Sequence, residues 1–170
     1  MSKPNPIIPW TYSKMHAFDT CAKQFYHMKV AKDYKESFSS TAIEYGNEFH
    51  KAAELYVSRD EPLKKKFAYT EKSLQALKSK RGIKKCEYKM GLTANLKKCG
   101  FFDKDVWWRG VGDLIILNGT NASVVDYKTG KSAAYADTDQ LELMALGLFV
   151  HFPDIQYVRA GLLFVVPKKF

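Results

Sequence analysis

The sequence predicts one α/β domain built on a mixed β-sheet, and three features of its patterning carry that expectation. Residues from about 1 to 82 read as a helical portion, with apolar positions recurring at spacings of three and four. Stretches between Cys86 and Lys128 read as three strands, the first with side chains alternating between faces. A buried helix and one further strand then complete a sheet core of about residues 83–170. A chain of 170 residues and 19.4 kDa suits one domain with a sizeable core. Its 46 % of hydrophobic residues excludes a disordered protein.

Taken in order, the first helix is expected from Ser13, a favourable N-cap. Phe18, Cys21, Ala22 and Phe25 follow at i, i+3, i+4 and i+7 as an apolar stripe. Lys14, Lys23, Lys29 and Lys32 lie among or just beyond them, as a solvated face or as phosphate contacts. A second helix runs from about Thr41 to Ser58, with Thr41 and Glu44 in capping-box spacing. Gly46, His50, Ala53 and Val57 share one face of it. A glycine inside a helix costs roughly 1 kcal/mol relative to alanine, so Gly46 points to close packing against a neighbour. His50 faces the same interior, and taken alone it reads as a core histidine. A third, basic helical region covers Leu63 to Lys80, and Arg81-Gly82 ends it.

Lys84 and Lys85 lead into a strand in which Cys86, Tyr88, Met90 and Leu92 alternate with Glu87, Lys89 and Gly91. Thr93 to Asp105 reads as a polar turn region. Val106, Trp107 and Trp108 open the next strand, which continues into a hairpin over Gly110 to Lys131, turning at Asn118-Gly119. On its second strand Asp126 and Lys128 project together, with Tyr127 opposite, and Asp113 of the first strand lies beside that couple. Charges on an apolar hairpin are costly unless paired or metal-bound. A helix apolar nearly all round, hence buried, is expected from Asp137 to His151. Asp137 and Gln140 have N-cap and N3 spacing, a structural reading of Gln140. Pro153 stops the helix, and Tyr157 to Val166 reads as a buried strand.

The net charge is +9, from 27 Lys+Arg against 18 Asp+Glu, which favours either a polyanionic partner or simple solubility. No signal-peptide pattern and no membrane-length apolar run is present in the sequence. The three cysteines, Cys21, Cys86 and Cys99, form no CxxC pair. The expectation is a reduced, cytoplasmic protein without membrane contact, in the host cytoplasm if the chain is viral.

Asp113, followed after twelve residues by Asp126-Tyr127-Lys128, fits a D…(D/E)-x-K pattern on the two strands of the hairpin. Before it stand Ser13, Phe18, Cys21 and Phe25 as S-x-x-x-x-F-x-x-C-x-x-x-F, then G-N-E-F-H at Gly46 to His50, and Glu87 on a strand. G-V-G-D ends at Asp113, V-V-D-Y-K-T-G-K spans Val124 to Lys131, and Q-L-E-L-M-A starts at Gln140. In this order the motifs make the chain resemble the PD-(D/E)xK nuclease superfamily, and within it the RecB-like exonuclease domains with their CRISPR-associated and phage relatives.

The resemblance implies a restriction-endonuclease-like core and a divalent-metal-dependent deoxyribonuclease, an exonuclease rather than an endonuclease. The process served would be recombination, repair or phage replication. Metal ligands would be His50, Asp113, Asp126 and the backbone carbonyl of Tyr127, a set suited to Mg²⁺ or Mn²⁺. Catalytic roles fall to Lys128, Asp126, Asp113, Glu87 and Gln140, and DNA contacts to Lys14, Lys23 and Lys131. The implied partners are DNA ends or single strands and a recombination or helicase protein. The chain departs from the family pattern at Ala22, where a proline is usual, and at Met144, where a tyrosine is usual. Relatives with an iron–sulfur cluster use four cysteines, of which only Cys21 has a counterpart here. No cluster is expected, and Cys21 should be a buried small residue. The other reading is a non-cleaving DNA-binding or assembly module of the same fold.

Overall fold

The computed structural model describes residues 8–34, 41–130 and 138–165. Among them a five-stranded sheet of order β2-β1-β3-β4-β5 lies between two helical layers. The strands are β1 (Ile83–Thr93), β2 (Lys98–Cys99), β3 (Val106–Asn118), β4 (Asn121–Lys128) and β5 (Tyr157–Phe164). All pairings are antiparallel except β4–β5, so the sheet is mixed, as the patterning predicts. A parallel pair needs a crossover, and α5 (Asp139–His151) is the helix in that connection.

On one face α3 (Thr41–Arg59) buries Phe49, Ala53, Tyr56 and Val57, an i, i+4, i+7, i+8 stripe. The 3₁₀ turn Lys65–Thr70 and α4 (Glu71–Lys78) add Phe67 and Leu74 to the same core, against Leu114, Ile116 and Tyr127 of the sheet. On the other face, Met144 and Leu148 of α5 pack on Met90, Leu92, Trp108, Ile115 and Val124. Burial on both faces explains why β3 is apolar without interruption from Leu114 to Leu117.

The G-V-G-D sequence has a packing cause. A Cβ on Gly110 would stand 2.4 Å from Cη2 of Trp108, and one on Gly147 3.0 Å from Cζ3 of the same ring. The indole, only 2 % exposed, fills the space two side chains would take. Gly110→Ala is therefore expected to cost about 1–3 kcal/mol of stability through overpacking. Urea unfolding should show this as a lower midpoint with an unchanged slope.

β1 and β3 are not regular along their length. Tyr88, Met90 and Leu92 of β1, with Trp108 of β3, join the core under α5, whereas Cys86 and Leu114 join the core under α3. Even-numbered residues thus change faces between the two halves of each strand. The change falls at Glu87 and Asp113, which the register leaves unpaired between Cys86↔Leu114 and Tyr88↔Gly112. Glu87 has φ +48°, a left-handed conformation inside a strand. Such strain persists only where the surroundings over-determine it, and it concentrates at functional sites.

Several expectations need correction. The first helix, α1 (Tyr12–Thr20), is capped by Thr11, whose side chain accepts from the Lys14 N–H, and Ser13 lies inside it. The chain turns extended at Cys21 and restarts as α2 (Ala22–Phe25), followed by a π-helical turn over Tyr26–Ala31. Cys21 is exposed rather than buried, because its sulfur caps α2 by accepting the Gln24 N–H at 3.4 Å. The stripe accordingly splits: Phe25 is buried, Phe18 is 44 % exposed, and both rings close on Trp10.

Thr41 is the first residue of α3, so its cap would be residue 40, outside the described residues. Lys84 and Lys85 lie within β1, and the turn region after it contains the short β2. The hairpin turns one residue later than expected, at Gly119-Thr120, with Asn118 paired to Asn121 and Gly119 at φ +60°. α5 buries one face only, since the sheet covers a single side, and Phe149 is 41 % exposed. Among the described residues β5 lies at the edge of the sheet, paired only to β4, and is mostly half-buried. Asp137 lies outside the described residues.

Candidate metal centre

The centre forms where β3 and β4 part. Their ladder runs from Asn118↔Asn121 to Leu114↔Val125 and stops. At the next step a side chain replaces a backbone acceptor: the Tyr127 N–H donates to Asp113 Oδ2 at 2.7 Å. Asp113 and Asp126, 8 % and 7 % exposed, are thereby buried at the fork. Tyr127 turns into the core under α3, which aims Asp126 and Lys128 toward α5.

α3 brings His50 to the opposite side. Its Nε2 lies 3.1 Å from the Tyr127 carbonyl oxygen, and its Nδ1 lies 3.3 Å from Asp113 Oδ1 and 3.8 Å from Glu87 Oε1. Donor atoms of His50, Glu87 and Asp113 all fall within 4.8 Å of one another. Gly46 permits the approach, since a Cβ there would meet Thr129 Oγ1 at 3.2 Å. The close packing expected of Gly46 is thus against the D-Y-K-T-G segment itself. The left-handed backbone at Glu87 coincides with the change of strand face that accompanies its place beside His50.

Asp126 belongs to an adjoining cluster. Gln140 Nε2 donates to Asp126 Oδ1 at 2.7 Å, and Lys128 Nζ donates to Gln140 Oε1 at 2.7 Å. Lys128 Nζ also stands 2.8 Å from Asp126 Oδ2 as an ion pair, yet that oxygen is buried without a hydrogen bond of good geometry. Gln140 thus spends its amide on the two motif residues rather than on capping α5. Burial pushes the Asp126 carboxyl above its usual range, opposed by the Lys128 ammonium.

The residues fit a divalent cation. Carboxylates, a carbonyl oxygen and one imidazole form a hard donor set of the kind Mg²⁺ and Mn²⁺ take. Asp126 and Asp113 are two buried carboxylates close enough to repel, only Asp126 has an ammonium beside it, and buried carboxylates demand compensating charge. His50 supplies some of that charge as a cation: Asp113 first and then Glu87 raise its pKa to about 10. Because the folded value is raised, the resulting stability is complete below the ordinary value of 6.5 and is lost as pH rises through about 10. Metal-free protein should therefore lose thermal stability from neutral to alkaline pH. His50→Gln should flatten that loss in calorimetry.

Two grooves flank the centre. One, of about 560 Å³, is lined by Gly46, Asn47, His50, Lys51 and Glu87. The other, of about 440 Å³, is lined by Tyr12, Phe101, Arg109, Lys128, Gln140 and Met144. Met144 is 5 % exposed and packs in the core under α5. Of the three lysines expected on DNA, Lys14 is half-buried and its Nζ donates to the Pro9 carbonyl at 2.7 Å. Burial and the nearby Arg109 charge push its pKa down. Lys23 is exposed and lines a separate groove with Cys21, His27 and Tyr34. Lys131 lies outside the described residues. Nothing in W-W-R-G or C-G-F-F ties Arg109 and Phe101 to the distant Lys128, so only the fold brings them to this groove. No family model matches the sequence, and no curated protein and no solved structure matches it either.

Proposed function

We propose that this protein is a divalent-metal-dependent DNA nuclease with a restriction-endonuclease-like core, and that it acts as an exonuclease. The observation that supports this most is the convergence of Asp113, Asp126, Lys128 and His50 at one strand fork, with His50 arriving from a separate helix. His50, Asp113 and the Tyr127 carbonyl would hold the cation with Glu87, whose donor atom already clusters with those of His50 and Asp113, and Asp126 would join from the adjoining cluster. Bound there, a divalent cation would lower the pKa of a water and neutralise charge on a phosphate.

The chain's own contribution is positional and electrostatic. Lys128, held by Asp126 and Gln140, presents an ammonium beside the carboxylates, where it orients the attacking water and stabilises the extra negative charge of the pentacovalent transition state. Gln140 fixes both partners by donating to one and accepting from the other. As a ligand His50 would be the neutral imidazole, and the cation would take over its role of balancing Asp113 and Glu87. The surplus of 27 basic over 18 acidic residues suits a phosphate backbone.

Purified protein incubated with linear and with covalently closed circular DNA tests the reading. With Mg²⁺ or Mn²⁺, linear DNA should be degraded and closed circles left intact. Cutting of closed circles would make the enzyme an endonuclease, and inertness on both forms with either metal would overturn the activity.

A further inference from the structure

A cationic, aromatic surface stands at the other end of the groove that holds Lys128. Phe101 and Phe102 lie in the loop after β2, with ring centroids 5.0 Å apart, and Phe102 is 74 % exposed. Arg109 of β3 places its guanidinium carbon 5.3 Å from each ring centroid. Lys89 of β1 places Nζ 5.7 Å and 5.6 Å from the same two rings. The register explains the meeting, since Gly91, two residues from Lys89, pairs with Arg109 on one side and Cys99 on the other. A Cβ on Gly91 would stand 2.8 Å from the Gly100 carbonyl, so that glycine lets the loop fold down onto the sheet.

Two aromatic rings with cations on their faces cost solvent-exposed apolar area and bring positive charges together. Arg109 Nε is buried without a hydrogen-bond partner, and neither Arg109 nor Lys89 forms an ion pair among the described residues. Asp103 and Asp105 are exposed carboxylates of the same loop, and Asp103 accepts the Gly100 N–H at 2.5 Å. Phe101 and Arg109 line the same groove as Lys128 and Gln140, so the surface is continuous with the proposed site. Stacking platforms beside a basic track are how proteins hold single-stranded nucleic acid, because every base has a π-face and every linkage a negative charge.

We propose that Phe101 and Phe102, backed by Lys89 and Arg109, form a stacking platform for single-stranded DNA whose backbone runs along the groove to Lys128. This rests on the nuclease reading for its direction, and it assigns the substrate as one strand rather than a closed duplex. Phe102, 74 % exposed, stacks a base while Arg109 and Lys89 hold the flanking phosphates.

The test is fluorescence anisotropy with a labelled oligothymidine and with a blunt duplex of equal length, in Ca²⁺. In parallel, hydrolysis of bis(p-nitrophenyl) phosphate is followed in Mn²⁺. Phe102→Ala, at an exposed position, should weaken oligothymidine binding by about tenfold, the loss of one stacked base. Phe102→Trp should restore it, and duplex binding should change less. Hydrolysis of the small ester, which reaches the centre without the platform, should be the same in both variants as in the wild type. Unchanged oligothymidine affinity in Phe102→Ala would overturn the platform while leaving the nuclease reading intact. Oligothymidine binding lost in the variant, with no ester hydrolysis by any form, would support the platform and count against the nuclease. A concentration-dependent dimer that Phe102→Ala abolishes in sedimentation would assign the patch to a second copy of the chain and overturn the proposal.

Discussion

Asp113→Asn is expected to abolish metal binding and metal-dependent DNA cleavage together while leaving the protein folded. Asp113 links His50 to the strand fork. Its Oδ1 faces His50 and its Oδ2 accepts the Tyr127 N–H that closes the strand fork. Asparagine keeps an acceptor for the Tyr127 N–H, but the charge that holds His50 protonated goes with the carboxylate, so the metal-free variant should lose about 1–3 kcal/mol while remaining folded. That loss is offset in part because Asp113 contributes to the unfavourable surroundings of the Asp126 carboxyl. The cation loses a buried anionic ligand, and with it several kcal/mol of transition-state stabilisation, roughly a thousandfold or more in rate. Thermal unfolding separates the effects. Wild-type protein at a metal concentration about 100 times Kd should gain about 2.7 kcal/mol, and the variant should gain nothing. A variant that melts far below the metal-free wild type would instead make Asp113 a structural residue.

Lys128→Ala should lower kcat by about 10²–10³-fold, the usual consequence of removing one donor aimed at developing charge. Metal affinity should not fall with it. In the metal-free protein the ammonium is the ion-pair partner of Asp126 Oδ2, and its removal leaves that carboxylate free to take a cation. Retained or tightened Mn²⁺ binding with lost turnover is thus the signature of a residue that acts on the reaction. Weakened Mn²⁺ binding in parallel with activity would place Lys128 in the support of the centre only. Since Gln140 bridges Lys128 and Asp126, DNA cleavage by Lys128→Ala should not recover on raising the metal concentration.

The sequence makes Asp113, Asp126 and Lys128 legible because strand alternation holds along β4 and a two-residue hairpin sets the register. Moving the turn from Asn118-Gly119 to Gly119-Thr120 left Asp113 and Asp126 at the fork. Glu87 was less legible. Simple alternation sends it to the face opposite Cys86, but its left-handed φ shifts the parity of β1, which no propensity of Glu announces. Gly46 could be read as a close approach, though not against Thr129, because that contact joins segments some eighty residues apart. The first helix misled for a local reason. An apolar stripe says which residues seek cover, not whether the backbone between them stays helical, and Trp10 covers Phe18 and Phe25 across a break at Cys21. Gln140 shows the limit of spacing rules, since N3 geometry and a buried polar network ask for the same residue type.

The proposed function requires the fork to be a metal centre to which His50 contributes. Mn²⁺ titration followed by electron paramagnetic resonance, with electron spin echo modulation to detect coupled nitrogen, addresses that claim. The prediction is saturable Mn²⁺ binding at the centre with a single imidazole nitrogen coupling, lost in His50→Ala and accompanied by proton release in the wild type. Absence of saturable binding, or a bound ion whose nitrogen coupling survives in His50→Ala, would contradict it.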